Sequence, residues 1–535
     1  MYGQISTLIV QYNELYTLGI ICFFVIFFSM LKNLTRYLAL FFLTPIRNNI
    51  IRDIRNNLKQ KLLHVPITFF QKYKRGDIIS RITHDLTEIE WSIIGLLELI
   101  FKDPIHILIF LIGLSLINIK LTFLCFLLFP ITGFIIALIA KSLKKKSFLN
   151  QKKIAELISL IDQNISGIKI IKAFNKENFI MNIFKKENED QKKIANNVLW
   201  RKDLSSPMSE ALSTITMVII IWVGGEMVLN GTLQAESFIG FTIMFSQIIP
   251  PTKSLTSSFY SIKKGTAAIN RINEFIKIKE EKTNPNFKNS SIFEKEILFS
   301  NVTFSYENQR IIDNLSLSIK KGEKIAIVGE SGCGKTTIID LLLKFFSIDS
   351  GVIKIDSENI KNKNIGELRS LFGLISQDVF LFNDSIANNI SFGNPKVDLE
   401  KIINAAKQAN AHEFISKLEN GYKTIIKNQG GNLSSGQKQR ISIARAIFGN
   451  YPILIFDEAT SSLDSKSSKH IQNIINKIDN DTTCIIITHK LHSIQQLDRI
   501  FVMKDGKIIQ SGTHKLLMDS SKVYQQLYNL AKNDD

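Results

Sequence analysis

The chain has little cysteine and no pairing pattern among the few it has. Cys22, Cys125, Cys333 and Cys484 stand far apart in 535 residues, which excludes a disulfide framework or a zinc site built on neighbouring thiols. The first fourteen residues lack a basic cluster, a short apolar core and a small-residue cleavage site, so no signal peptide is read there. No stretch interleaves basic and aromatic residues as a recognition module would, and nucleic acid is not expected as a partner despite a formal net charge of +18. No internal repeat is found. Hydrophobic residues nevertheless make up 45% of the chain and mean hydropathy is +0.10. Apolar and basic material must therefore be segregated along a chain long enough for two or three units.

Long apolar runs fill the first half. They predict five membrane spans: Leu15 to Leu31, with a further run to Pro45; Ile93 to Ile117; Leu121 to Ala140; about Met208 to Leu229; and Phe238 to about Leu255. Basic residues concentrate between Arg47 and Arg75 and between Lys141 and Lys153, while Asn118 to Lys120 and Gly224 to Glu236 carry almost none. Charge asymmetry thus places the two basic connections on the cytoplasmic side. Both are too long to be bare loops. Their apolar periodicity (Ile50, Ile51, Ile54, Leu58; Ile154, Leu157, Ile158, Ile161) predicts helices continuing into the cytoplasm, with turns near Arg75-Gly-Asp77 and Ser166-Gly167. The same rule has the first span entering from outside. Met1 is then expected on the outer face, with Met1 to Glu14 too short to span, and a lipid-exposed groove where a preceding helix would pack. Glu98 and Lys102, four apart, either pair with each other or leave Lys102 facing a cavity and a substrate phosphate.

The polar stretch Lys277 to Ser291 reads as a linker. Beyond it the pattern changes to short strands and helices, including the continuous apolar runs Tyr451 to Phe456 and Cys484 to Ile487, suited to a parallel sheet buried on both faces. Between the apolar strand Lys324 to Val328 and the apolar helix from Ile338 lies GESGCGKTT, Gly329 to Thr337. Two glycines five apart followed by Lys335 and Thr336 form the P-loop spacing. Backbone N–H groups across Gly329, Glu330, Ser331, Gly332, Cys333, Gly334 and on to Thr337 would wrap phosphates at a helix N-terminus; Lys335 would reach the β- and γ-phosphates and Thr336 would place its hydroxyl on Mg²⁺. The run Ile453 to Glu458 ends a buried strand in two carboxylates. Asp457 suits the Mg²⁺ shell, and Glu458 could orient or deprotonate the attacking water. At Leu433-Ser-Ser-Gly-Gln437 a second helix N-terminus is expected, the helix beginning near Gln439.

The P-loop, LSSGQ, and IFDEA followed by Ser462-Leu-Asp464 and Thr488-His489, in this order, resemble the ATP-binding-cassette ATPases over residues 292 to 535. With the membrane half, the chain resembles a type IV ABC exporter half-transporter. The stretches from Phe70 to Ile94 and Gly167 to Phe174 are similar to lipid A exporters. The resemblance implies an α-helical transmembrane domain, with five spans visible where six are usual, plus an α/β P-loop NTPase cassette. Boundaries are set at 1 to 275 for the membrane domain, 276 to 291 for the linker and 292 to 535 for the cassette.

It further implies that Tyr306 stacks on adenine, though Tyr306 could equally pack an edge strand, and that Gln377 touches Mg²⁺ and senses the membrane domain. Ser434, Ser435, Gly436, Gln437 and Asp464 would serve the ATP held by a second copy of the chain, and His489 would contact the γ-phosphate. Two departures stand out: Ser435 replaces the first glycine of the usual LSGGQ, and Asn428 replaces a glutamate five residues before the signature leucine. The expected activity is ATP-driven export of an amphiphilic lipid by an inner-membrane homodimer. The alternatives are a drug or peptide exporter, a soluble cassette protein, which the five spans oppose, and an ATP-switched regulator, which Glu458 and His489 oppose.

Overall fold

The computed structural model describes residues 14–73, 75–281, 292–307, 309–394, 398–427, 430–459 and 473–533. It divides into two compact units: residues up to Lys59 with Gly76–Lys277, and Gln60–Arg75 with Ile278 onward.

The first unit is helical. Its helices are α1 (Glu14–His64, whose last residues group with the second unit), α3 (Arg75–Ile82), α4 (His84–Leu97), α5 (Asp103–Ile117), α6 (Ile119–Ser166), α7 (Ile168–Ala173), α8 (Glu177–Leu229), α9 (Ala235–Ser246) and α10 (Ile249–Ile276); α2 (Ile67–Lys72) belongs to the second unit. Over its first half α1 exposes Phe23, Phe24, Val25, Ile26, Phe27 and Phe28, consecutive residues that go all the way round the helix. A helix apolar all round needs an apolar solvent. Among the described residues, Tyr16–His64, Arg75–Ile117 and Glu210–Leu229 are long and apolar enough to cross a membrane. They carry the first, second and fourth expected spans. The third runs along α6, and the fifth is divided between α9 and α10 by a break at Gln247 and Ile248. Pro250 and Pro251 explain that break, because proline suits the first turn of a new helix, where its missing N–H donor costs no intrahelical bond.

Arg75-Gly-Asp77 opens α3 rather than forming a turn; the chain bends instead at Val65-Pro66 and around Tyr73. At the other expected turn, Gly167 does end α6. Lys102 Nζ lies 2.8 Å from Glu98 Oε1 on a π-helical turn, so these two residues pair with each other. The expectation for Met1 and the residues before Glu14, and most of the linker expected from Lys277 to Ser291, lie outside the described residues.

The helices α4 and α10 pack antiparallel at close range. A Cβ on Gly265 would stand 2.1 Å from Ser92 Cβ, so only glycine permits the approach. Further along, Lys264 pairs with Glu88 at 3.3 Å. Arg271 grips Asp85 with Nε at 2.9 Å and Nη2 at 2.5 Å, the carboxylate being only 3% exposed. Leu114, Leu121, Cys125, Ile220, Phe241, Phe245 and Ile248 bring α5, α6, α8 and α9 into a separate core.

In the second unit, β1 (Glu296–Tyr306), β2 (Gln309–Lys320), β4 (Ser350–Ile355) and β5 (Glu358–Asn359) form an antiparallel sheet in the order β2-β1-β4-β5. The main sheet runs β10-β9-β3-β8-β7-β6, from β3 (Lys324–Gly329), β6 (Phe372–Ile375), β7 (Ile453–Asp457), β8 (Thr483–Ile487), β9 (Arg499–Lys504) and β10 (Lys507–Gly512); all pairs are parallel except β9 with β10. Its helices are α11 (Lys335–Leu342), α12 (Ile365–Arg369), α13 (Ile386–Ser391), α14 (Leu399–Gln408), α15 (His412–Ser416), α16 (Ser435–Phe448), α17 (His514–Ser520) and α18 (Lys522–Asn533).

Strand residues alternate between two cores. Ala326, Val328, Leu454, Phe456, Cys484 and Ile486 face one, with Ile441, Ile443 and Ala444 of α16. Ile325, Ile327, Ile453, Ile455, Ile485 and Ile487 face the other, with Ile338, Ile339, Leu341 and Leu342 of α11. Side chains of period two put α11 and α16 on opposite faces of the sheet.

The Asp85–Arg271 pair yields a test. Arg271→Ala strands a buried carboxylate, a loss on the order of 3 kcal/mol. Removing Asp85 as well should recover part of it, so the Asp85→Ala/Arg271→Ala protein should melt above Arg271→Ala alone in detergent. Strictly additive shifts in melting midpoint would show that the pair contributes nothing.

Candidate nucleotide site

The parallel register brings the chemically active loops to one edge of the main sheet. Gly329 ends β3, Asp457 ends β7 opposite Ile487 of β8, and Gln377 follows β6 two residues after Ile375, the partner of Phe456. Open parallel sheets bind ligands at this carboxyl edge.

Gly329 to Gly334 wrap from β3 into α11. Gly332 (φ 81°) and Gly334 (φ 104°) adopt the left-handed backbone that only glycine takes freely. Gly334 is the N-cap of α11, so the orphan N–H groups of the first turn face the loop. Glu330, Ser331 and Gly332 are exposed, whereas Lys335 and Thr337 are buried. Lys335 Nζ donates to the carbonyls of Gly329 at 3.0 Å and Glu330 at 2.8 Å, curled inside its own loop. Cys333 Sγ lies 4.0 Å from that amine, and burial raises its thiol pKa.

Thr336 Oγ1 stands 3.4 Å from Asp457 Oδ1. A hydroxyl and a carboxylate are the hard oxygen donors Mg²⁺ accepts, and Mg²⁺ usually completes its shell with water and substrate phosphate.

Next to it, Glu458 sits at φ 48°, a left-handed conformation held by its N–H bond to Ile487 O at 2.9 Å. Such strain in a side-chain-bearing residue is stored where the surroundings impose it. Here it turns the carboxylate toward β8, where Glu458 Oε1 meets His489 Nε2 at 2.6 Å. Burial, followed by the neighbouring Glu458 charge, raises the pKa of Asp457.

Tyr306 ends β1 in edge-on contact with Phe304 (4.8 Å) and Phe346 (5.0 Å), and its hydroxyl donates to Asp340 Oδ2 at 3.4 Å. The site's neighbourhood thus includes Asp340, an acid on α11 that the motif reading passed over. Its signal was visible as the one charge inside the apolar run Ile338 to Leu343.

The signature segment lies elsewhere. Ser434, exposed, is the N-cap of α16, which begins at Ser435 rather than near Gln439. Ser434 Oγ accepts from Gln437 N at 3.2 Å and Gln437 Oε1 accepts from Ser434 N at 2.9 Å, a reciprocal capping box. Ser435 is exposed and Gly436 half-buried on that first turn. Since α16 and α11 lie on opposite faces of the sheet, their N-terminal ends belong to different layers. Asp464 and Asn428 lie outside the described residues.

Asp340 makes a pH test available. Burial, then the Asp457 charge, pushes its carboxyl from the ordinary 3.8 to about 6, opposed by the Tyr306 hydroxyl. A folded-state value above the unfolded one contributes stability while the proton is held, and that contribution is lost as pH rises through about 6. Nucleotide-free Asp340→Asn, which cannot ionise, should therefore melt higher than wild type at pH 8, with the gap closing by pH 5. A gap independent of pH would contradict this.

Comparison with known proteins agrees with this geometry. Residues 1–252 match the family described as the ABC transporter transmembrane region, and residues 312–461 match the family described as ABC transporter. The chain is 33% identical over 520 residues to the ATP-dependent lipid A-core flippase of Desulfotalea psychrophila, covering 97% of this chain and 91% of that one. It is 32% identical to the putative multidrug export ATP-binding/permease protein YgaD of Bacillus subtilis, covering 94% and 87%. A solved bacterial Atm1-family ABC exporter with ATP bound superposes with a TM-score of 0.85 at 23% identity, covering 97% of this chain and 90% of that chain, and so shares the fold. A helical membrane unit fused to an α/β nucleotide-binding unit with a P-loop at its sheet edge, matched over nearly its whole length, makes this chain a member of the ABC transporter family.

Proposed function

We propose that the chain hydrolyses Mg-ATP between two copies of itself and uses the cycle to move an amphiphilic lipid, lipid A or a related glycolipid, from the inner to the outer leaflet of the cytoplasmic membrane. The observation that carries the ATPase reading is the Glu458–His489 pair at 2.6 Å beside Asp457 and Thr336. In this reading Glu458 is the general base for the attacking water, and His489 orients Glu458 and meets the γ-phosphate. Lys335 leaves the carbonyls of its own loop for the β- and γ-phosphates. Thr336, Asp457 and Gln377 would hold Mg²⁺, which would neutralise phosphate charge. Tyr306 packs the adenine. Ser434, Ser435, Gly436, Gln437 and Asp464 complete the site of the partner copy, where the capping box holds the start of α16 in shape and the N–H groups of Ser435 and Gly436, which it does not use, would meet the phosphate.

The lipid reading draws support from the flippase names of relatives, including that of Haemophilus influenzae, 32% identical over 96% of this chain. The name of the Bacillus subtilis relative supports the rival, a drug exporter. Basic residues in the connections between spans support a cytoplasmic cassette. The functional division proposed is residues 1–275 for the membrane path, 276–291 for the linker and 292–535 for ATP.

Glu458→Gln keeps the shape and the phosphate contacts but removes the base. It should bind Mg-ATP with near-normal affinity and turn it over about a hundredfold or more slowly, accumulating a nucleotide-occluded dimer. Near-normal turnover would move the base elsewhere. Adding lipid A to nanodiscs should raise wild-type ATPase, whereas stimulation by cationic drugs alone would favour the rival.

A further inference from the structure

The rear of the P-loop helix is tied to the end of α1 through residues Glu280 and Glu281. Leu343 caps the C-terminus of α11, and Lys344 beyond it turns left-handed at φ 56°. Their carbonyls, orphaned by the helix end, accept from Arg369: Nε donates to Leu343 O at 3.1 Å and Nη2 to Lys344 O at 3.4 Å. The guanidinium also lies over the Phe345 ring, 4.9 Å from its centroid. A cation at a helix C-terminus is electrostatically favoured.

The opposite edge of the same guanidinium is held by Glu281. Nη1 donates to Oε2 at 2.7 Å and Nη2 to Oε1 at 2.9 Å, with the carboxylate 14% exposed. Such a two-pronged pair fixes orientation as well as distance. Glu281 in turn donates its backbone N–H to the carbonyl of His64, the last residue of α1, at 2.8 Å. Its neighbour Glu280 stands 3.0 Å from Lys61 Nζ, one turn earlier. The linker residues 280 and 281 are thus bound to α1 by main chain and side chain, and to the back of α11 by side chain.

We propose that Glu281 and Arg369 are positioning residues for the ATPase, a clasp through which displacement of α1 shifts α11 and with it the phosphate cradle at that helix's other end. This rests on the ATPase reading above. Because α11 has eight residues, it spans about 12 Å and moves as one rigid rod. A pull on the Arg369 guanidinium is felt at Gly334 and Lys335. The arrangement is separate from Gln377, which leaves β6 at its carboxyl end, whereas Arg369 lies just before the amino end of that strand.

The test uses the full-length protein in dodecyl maltoside and in phosphatidylethanolamine–phosphatidylglycerol nanodiscs with and without lipid A. Measured for each are KM for ATP, kcat, and the melting midpoint. Glu281→Ala should raise KM for ATP and reduce the lipid-dependent change in turnover, each by about fivefold, a typical coupling between sites. Arg369→Lys, which keeps the charge but loses the fork, should raise KM similarly, and Glu281→Gln should fall between Glu281→Ala and wild type. If Glu281→Ala keeps wild-type KM and lipid response, the clasp is wrong even if the protein melts earlier, because it is then only a structural tie. A wild-type protein without ATP turnover would instead overturn the ATPase reading, and the clasp with it.

Discussion

Parallel pairing of β3 between β8 and β9, with β7 and β6 beyond, is the constraint on which the nucleotide site depends. Register alone aligns Gly329, Asp457 and the residues after Ile487 at one edge. The hydrogen-bonded ladder makes this edge insensitive to small changes in side-chain packing. The strained φ of Glu458 and its N–H bond to Ile487 O then convert strand register into the 2.6 Å contact with His489, two residues beyond the end of β8.

The same sheet imposes a separation. With both faces buried, successive residues of each strand feed different cores, and the helix that opens at the P-loop and the helix that opens at Ser434 are assigned to different faces. A helix N-terminus favours an anion. A second copy of the chain, bringing its own Ser434 turn to the P-loop, would supply what one cassette keeps apart. The link from Arg369 to Glu281 lies at the back of the same P-loop helix, so the cradle is addressed from both ends.

Motifs with a fixed local geometry could be read from the residues. The P-loop needed Gly332 and Gly334 for positive φ, and Asp457 and Glu458 followed a continuous apolar strand; both were legible because backbone conformation and chemistry are encoded within a few residues. Apolar runs gave the membrane helices but not their breaks. At Gln247 the hydropathy of Phe238 to Leu255 continued while Pro250 and Pro251 started a new helix. Side chains paired at long range escaped altogether: Asp85 with Arg271 and Glu281 with Arg369 are 186 and 88 residues apart, and no local pattern selects one acid for one arginine. Asp340 lay between these cases, marked as an acid in an apolar run, while its partner Tyr306 came only with the fold.

The central claim is that each ATP is shared between two chains. It is tested most directly by nucleotide occlusion in heterodimers that combine one Lys335→Ala subunit with one Ser434→Arg subunit. Shared sites place both lesions in one composite site and leave the other intact, so each heterodimer should occlude one nucleotide. If each chain worked on its own ATP, both sites would be damaged, and heterodimers that occlude none would contradict the account.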